Sequence, residues 1–185
     1  MMVETENTPN PDTLKFLPGK KVSEAGPVEF LKDDKDIKVS LASKILSLDG
    51  TVMVFFGEDF ITVKKEKNLN WNDLKHGIIS EINDHYLKGN NVVVDKNFSN
   101  LPKDDKLSES SEIINKIKEV LDTKVRPAVA KDGGDITFRS FKDGVVTVEL
   151  KGSCSGCPSS IMTLKQGVQN LMCHYISEVK KVEAI

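Results

Sequence analysis

Hydrophobic and polar positions change period several times along the chain, and each change marks an element. Leu14-Lys15-Phe16-Leu17 and Val28-Glu29-Phe30 read as short strands, interrupted by Pro18-Gly19 and Gly26-Pro27. Ser40 through Leu48 switches to helical spacing, with Leu41, Ile45 and Leu48 on one face and Gly50 ending it. Val52 to Phe56 and Phe60 to Lys64 then flank Gly57-Glu58-Asp59, the pattern of a hairpin. Asn70 is placed to cap a second helix whose stripe is Trp71, Leu74, Ile78 and Ile82, with Gly89 as its terminator.

The periodicity then lapses. From Lys88 to Glu109 the chain is polar, rich in Asn and interrupted by Pro102, with only Val92-Val93-Val94 as an apolar run. Order returns at Ser110 or Ser111, either of which suits the cap of a helix carrying Ile113, Ile117, Val120 or Leu121, Val125 and Ala128. Pro127 should bend that helix, because it lacks a donor and crowds the preceding turn. Gly133-Gly134 end it. Ile136 to Phe141 and Val145 to Leu150 alternate as strands around Lys142-Asp143-Gly144. Pro158 suits the first turn of a helix bearing Ile161, Leu164, Val168 and Leu171, and Val179 to Ala184 reads as a last strand. The fold class predicted is α+β: two small α+β domains, residues 1–88 and 110–185, joined by a flexible linker at 89–109.

Composition narrows the function. The 185 residues carry a formal charge of −2, with 38% hydrophobic and 29% charged residues, typical of a globular chain. That balance provides no field to grip nucleic acid or an anionic membrane, so neither is expected as a partner. No apolar run approaches the roughly 18 residues of a membrane span. The opening MMVETENTPNPD has neither the basic and apolar regions of a secretory signal nor the arginines of a transit peptide, although a processed mature form would read the same way. Three cysteines, an odd and small number, argue against a disulfide framework and for a reducing compartment.

Two of the three, Cys154 and Cys157, form a CxxC within Gly152-Ser153-Cys154-Ser155-Gly156-Cys157-Pro158-Ser159-Ser160. The two-residue gap lets both sulfurs converge on one centre, and the positive end of the following helix favours thiolate. Four chemistries fit a CxxC. A thiol–disulfide redox pair would place its second cysteine inside the helix, whereas here Pro158 follows Cys157. A nucleophile elbow fits G-x-C-x-G, but no parallel sheet is expected and the one downstream histidine is His174. A structural zinc site needs four ligands; there is no second CxxC, and His76 and His85 lie in the other domain, off one helix face. An iron–sulfur cluster shared between two chains is satisfied by two CxxC loops across a two-fold axis. Cys173 lies about 24 Å along an unbroken helix, too far to join, and reads as a small packing residue. Asp132 and Asp135 read as turn and cap residues without a ligand role.

The second domain resembles the NifU C-terminal domain in Val125-Arg126-Pro127, Asp132-Gly133-Gly134-Asp135, Gly152-x-Cys154-x-x-Cys157-Pro158-x-Ser160 and Thr163-Leu164-Lys165. The first resembles the Nfu N-terminal domain in Thr8-Pro9-Asn10-Pro11-Asp12-Thr13-Leu14-Lys15-Phe16 and Phe55-Phe56-Gly57-x-Asp59-Phe60-Ile61-Thr62-Val63. Taken together, the chain resembles the Nfu-type (NifU-like) iron–sulfur cluster carriers. The resemblance implies a carrier, not an enzyme: a 4Fe-4S cluster, or a 2Fe-2S one, bridges a homodimer through Cys154 and Cys157. It implies an upstream cluster scaffold as donor and apo iron–sulfur proteins such as lipoate synthase as clients, with the first domain making partner contacts. No long tail is expected beyond Ile185. The compartment expected is the bacterial cytoplasm, with the mitochondrial matrix as the alternative for a processed mature form. The competing function is a thiol–disulfide redox protein using the same CxxC.

Overall fold

The computed structural model describes residues 3–24, 26–34, 37–90, 109–155 and 158–185. Val92-Val93-Val94 and Cys157 lie outside the described residues. The chain divides into two compact units, Met1–Asn100 and Leu101–Ile185. Each is an α+β fold with its own core.

In the first unit five strands form an antiparallel sheet: β1 (Glu4–Asn7), β2 (Thr13–Leu17), β3 (Val28–Leu31), β4 (Thr51–Phe56) and β5 (Ile61–Lys65), in the order β1-β2-β5-β4-β3. The period-2 pattern sends Leu14, Phe16, Phe30, Val54, Phe56, Ile61 and Val63 to one face. Helices α1 (Ser40–Leu46) and α2 (Trp71–Leu87) cover that face through Leu41, Ile45, Leu74, Ile78 and Ile82. Asn70 caps α2 as expected, its side chain accepting from the Asn72 N–H at 3.2 Å. Strand β1 has no counterpart in the hydrophobic pattern, because Glu-Thr-Glu-Asn is a polar edge strand held by β2 and by the Glu6–Lys15 ion pair at 3.2 Å.

The Thr8–Asp12 segment is the turn between β1 and β2, and its residues are used up in holding it. Asn10 Oδ1 accepts from the Asp12 N–H at 3.0 Å, and Thr8 Oγ1 donates to the Asn10 carbonyl at 2.9 Å. Asp12 pairs with the buried Lys65 at 3.3 Å, while Trp71 Nε1 donates to the Pro11 carbonyl at 3.1 Å. That turn therefore ties the sheet to the start of α2. Its signature is architectural.

In the second unit, β6 (Gly134–Lys142) and β7 (Val145–Gly152) form a hairpin whose Asp143 and Gly144 have φ of 53° and 83°, the two-residue turn that matches strand twist. From β7 the chain crosses through α5 (Pro158–Tyr175) to β8 (Lys181–Ala184), which pairs with β7 in parallel. The sequence reading expects no parallel sheet; this β7–α5–β8 crossover corrects it. The crossover sets the CxxC loop between the end of a strand and the start of a helix.

Ahead of the hairpin runs α3 (Glu109–Val120), then a π-helical turn, Leu121–Val125, then α4 (Arg126–Lys131). The helix begins at Glu109, so neither Ser110 nor Ser111 stands at the cap. The bend expected at Pro127 takes the form of the π turn: the Arg126 N–H donates to the Leu121 carbonyl five residues back, which widens the turn just before the proline ring. One inserted residue moves the apolar stripe onto Ile117, Leu121, Val125 and Val129, all buried, while Ala128, expected in the stripe, is exposed.

This phase shift is testable by urea unfolding of the full chain. Val129→Ala should lower the stability of the second unit by about 2 kcal/mol, and Ala128→Ser by no more than about 0.5 kcal/mol. An uninterrupted α-helix demands the reverse order.

Candidate functional site

The site is made where two glycine-containing chain reversals meet. Gly152, with φ of 68°, closes β7 and turns the chain into Ser153-Cys154-Ser155. Gly133, with φ of 80°, ends α4 and hands over to Gly134 at the start of β6. These reversals are adjacent because Gly134 pairs with Gly152 at the end of the β6–β7 ladder. Ser153 joins them: its N–H donates to the Gly133 carbonyl at 3.1 Å and its hydroxyl donates to the Asp132 carbonyl.

Cys154 is 4% exposed and belongs to the apolar core of the unit. Its Sγ lies over the bare Cα of Gly134. A Cβ added there would come within 2.7 Å of Sγ and 2.7 Å of the Lys151 carbonyl oxygen, closer than real side chains tolerate. The Ser153 hydroxyl is 4.0 Å from the same sulfur. Ser155 bends the loop back, with its N–H and hydroxyl both directed at the Gly152 carbonyl, at 3.2 and 2.9 Å. Beyond the loop, α5 starts at Pro158 and runs 18 residues, and the positive end of a helix dipole favours thiolate over thiol in a cysteine near it.

Asp135 is not the cap or turn residue the sequence reading expects. It stands in β6, 6% exposed, and accepts both arms of the Arg126 guanidinium, Nε at 2.9 Å and Nη2 at 3.1 Å. Asp122 takes Nη1 at 3.0 Å. Hydrogen bonding to Asp135, followed by the charges of Asp135 and Asp122, outweighs burial and holds the Arg126 pKa above its ordinary value. Arg126 and Ser153 were the site residues hardest to see in the sequence. Arg126 sits inside the quoted Val125-Arg126-Pro127 motif, but its partner is nine residues away, and Ser153 differs in no sequence signal from its serine neighbours.

Of the other candidate ligands, Cys173 is exposed in the last turn of α5. With α5 unbroken, it is about 22 Å along the axis from Pro158. His174, beside it, is equally remote, so among the described residues of this unit no histidine stands near the G-x-C-x-G segment as a base, even though the parallel pair is present. His76 is exposed and His85 buried on α2 of the other unit. Among the described residues, no three His, Cys, Asp or Glu side chains group closely enough to hold a metal ion. The arrangement thus presents a soft sulfur donor in a glycine-lined seat at a helix start. It suits a thiophilic metal rather than a hard oxygen-loving ion.

Comparison with known proteins places both units. Residues 3–89 match the family described as scaffold protein Nfu/NifU N terminal, and residues 117–183 match the NifU-like domain. Over 186 aligned residues the chain is 45% identical to NifU-like protein 4, mitochondrial, of Arabidopsis thaliana, covering 99% of this chain and 65% of the relative. It is 43% identical to the human NFU1 iron-sulfur cluster scaffold homolog, mitochondrial, covering all of this chain and 72% of the relative. The chain thus spans about two thirds of the length of these relatives. A solved NifU-like protein from Saccharomyces cerevisiae is 26% identical, with a TM-score of 0.46 over 50% of this chain and 84% of that one. With both family signatures present in order, and with relatives this similar along its whole length, the chain belongs to the Nfu family of NifU-like proteins.

Proposed function

We propose that this protein takes part in iron–sulfur cluster assembly by binding a cluster as cargo between two copies of the chain and passing it to apo-proteins. The observation that carries the reading is the seat of Cys154, a core-held sulfur packed on a glycine at a helix start, in a chain whose human relative is named an iron-sulfur cluster scaffold homolog. Cys157, three residues on, is the second ligand. Each copy has three cysteines, and Cys173 is at the far end of α5. One chain therefore contributes two thiolates, and a four-thiolate cluster calls for a second copy.

The chemistry favours transfer. Four thiolates around a 4Fe-4S core of charge 2+ leave a net charge of −2, which the start of α5 and the loop N–H groups offset. A cluster held at the junction of two copies is open to attack by a recipient thiolate. The protein is a carrier and not an enzyme, with an upstream scaffold as donor; the resemblance adds lipoate synthase as a type of client. A thiol–disulfide role is disfavoured because α5 begins at Pro158, which leaves both cysteines ahead of the helix. The mitochondrial names of the relatives support the matrix over the bacterial cytoplasm as the compartment.

The labour divides at the domain boundaries. Residues 110–185 hold all three cysteines, and residues 1–88 hold none, so the first domain cannot ligate a thiolate-held cluster. It acts through contacts with a donor or client, and the segment 89–109 keeps the cluster domain at high local concentration near that partner.

Two experiments test this reading. In anaerobic reconstitution, Cys154→Ser and Cys157→Ser should each lose the visible charge-transfer absorption and at least about 10-fold of bound iron, with unchanged far-UV circular dichroism. Gly134→Ala should do likewise, because its Cβ occupies the space of the sulfur; full loading of that variant removes the seat from the account. Residues 101–185 alone should load a cluster as the full chain does, but deliver it to an apo-protein more slowly at equal loading. Failure of this fragment to load would make the first unit part of the binding fold.

A further inference from the structure

The end of the β6–β7 hairpin that carries the cysteine seat is its weakest end. The terminal pair is Gly134 opposite Gly152, so no side chains meet across it, and the next pair is Asp135 opposite Lys151. Yet Cys154 depends on this end, because its sulfur rests on Gly134. The Arg126 fork grips the residue immediately after Gly134: both Asp135 oxygens are engaged, at 2.9 and 3.1 Å, and Thr137 Oγ1 adds a longer contact at 3.5 Å. A two-armed, half-buried pair of this kind is stronger and more directional than an exposed one.

Arg126 follows directly on the π turn and reaches Asp135 from there. One residue rotates a helix by about 100°. The extra residue in Leu121–Val125 therefore sets the phase of all of α4, with Val129 in the core and Arg126 on Asp135 of β6. From Arg126 to Gly134 the chain is short: α4 has six residues, and only Asp132-Gly133 separates it from β6. A clamp at Arg126 is thus carried directly to the seat.

We propose that Arg126 is a positioning residue for Cys154, its fork on Asp135 holding the start of β6 beneath the cysteine sulfur. Ser153 clamps the seat from the loop side, through the Asp132 and Gly133 carbonyls. A direct electrostatic role, with the guanidinium balancing a negative cluster, does not fit the charges. Asp122 and Asp135 both bind Arg126, so the triad has a net charge of −1 and projects no positive field. The proposal rests on Cys154 being a cluster ligand, but its first test needs no cluster.

The test uses the iron-free full chain carrying Cys157→Ser, in which iodoacetamide alkylation of Cys154 and Cys173 is followed by peptide mass spectrometry. Exposed Cys173 is an internal reference for buried Cys154. Arg126→Gln and Asp135→Asn should each raise the Cys154-to-Cys173 rate ratio by roughly 10-fold through local opening. The double variant should raise it no further, since both changes break one interaction. Arg126→Lys, which keeps the charge but loses the fork, should also raise it. An unchanged ratio in Asp135→Asn or Arg126→Lys, with native circular dichroism, overturns the proposal; these two milder variants decide the matter if Arg126→Gln does not fold. A rise in Arg126→Gln that Arg126→Lys abolishes assigns the effect to charge and equally overturns it. In the loaded wild-type-cysteine chain, Arg126→Lys should release iron to a chelator faster. If the wild-type chain takes up no cluster, the carrier reading fails, while the alkylation ratio still reports on the clamp.

Discussion

The contact between the Cys154 sulfur and the Cα of Gly134 is the constraint around which the second unit is organised. A side chain at 134 would collide with the sulfur and with the Lys151 carbonyl, both at 2.7 Å, and overpacking on that scale costs about 1–3 kcal/mol. The missing side chain has its own consequence. Two glycines facing each other leave the end of the ladder without cross-strand packing, so other groups must hold it. The Ser153 hydrogen bonds, the Arg126–Asp135 fork and the short α4–β6 connection all converge on this end. The other end of the same hairpin, at Asp143-Gly144, needs no such support because its turn is intrinsically favoured.

On the proposed reading, in which Cys154 binds a transferable cargo, its place within the apolar core has a use. Core placement sets the sulfur before any metal arrives, so less ordering entropy opposes binding than for a thiol on a free loop. The first unit is built on a different logic. Its Thr8–Asp12 signature is consumed in a turn that locks sheet to helix, through Asp12–Lys65 and the Trp71–Pro11 hydrogen bond. What this motif holds is the junction of sheet and helix.

Most of the fold was legible in the sequence wherever burial on one face imposed a period. The stripes of α2 and of β4–β5, the Asn70 cap and the β6–β7 hairpin all follow from it. The misses have physical reasons. Strand β1 is a polar edge that buries nothing and so leaves no pattern. The π turn changes the period itself, which is why the stripe ends on Val129 and not on Ala128. The parallel pairing of β8 depends on the crossover through α5, a long-range feature that four residues of strand do not encode. At the site, the cysteine spacing and the glycines were visible, whereas the Arg126–Asp135 pair was not, because a nine-residue separation across a helix and a strand has no local signal.

The central claim is that the described cysteine seat is half of a site, completed by a second copy. Native mass spectrometry of the anaerobically loaded full chain tests it most directly. The account predicts that the iron-bearing species has the mass of two chains plus a single 4Fe-4S cluster, with the iron-free protein mainly at the mass of one chain. A single chain carrying a complete cluster would contradict it, since two CxxC thiolates and a third cysteine at the far end of α5 would then have to hold the whole cluster without the second copy.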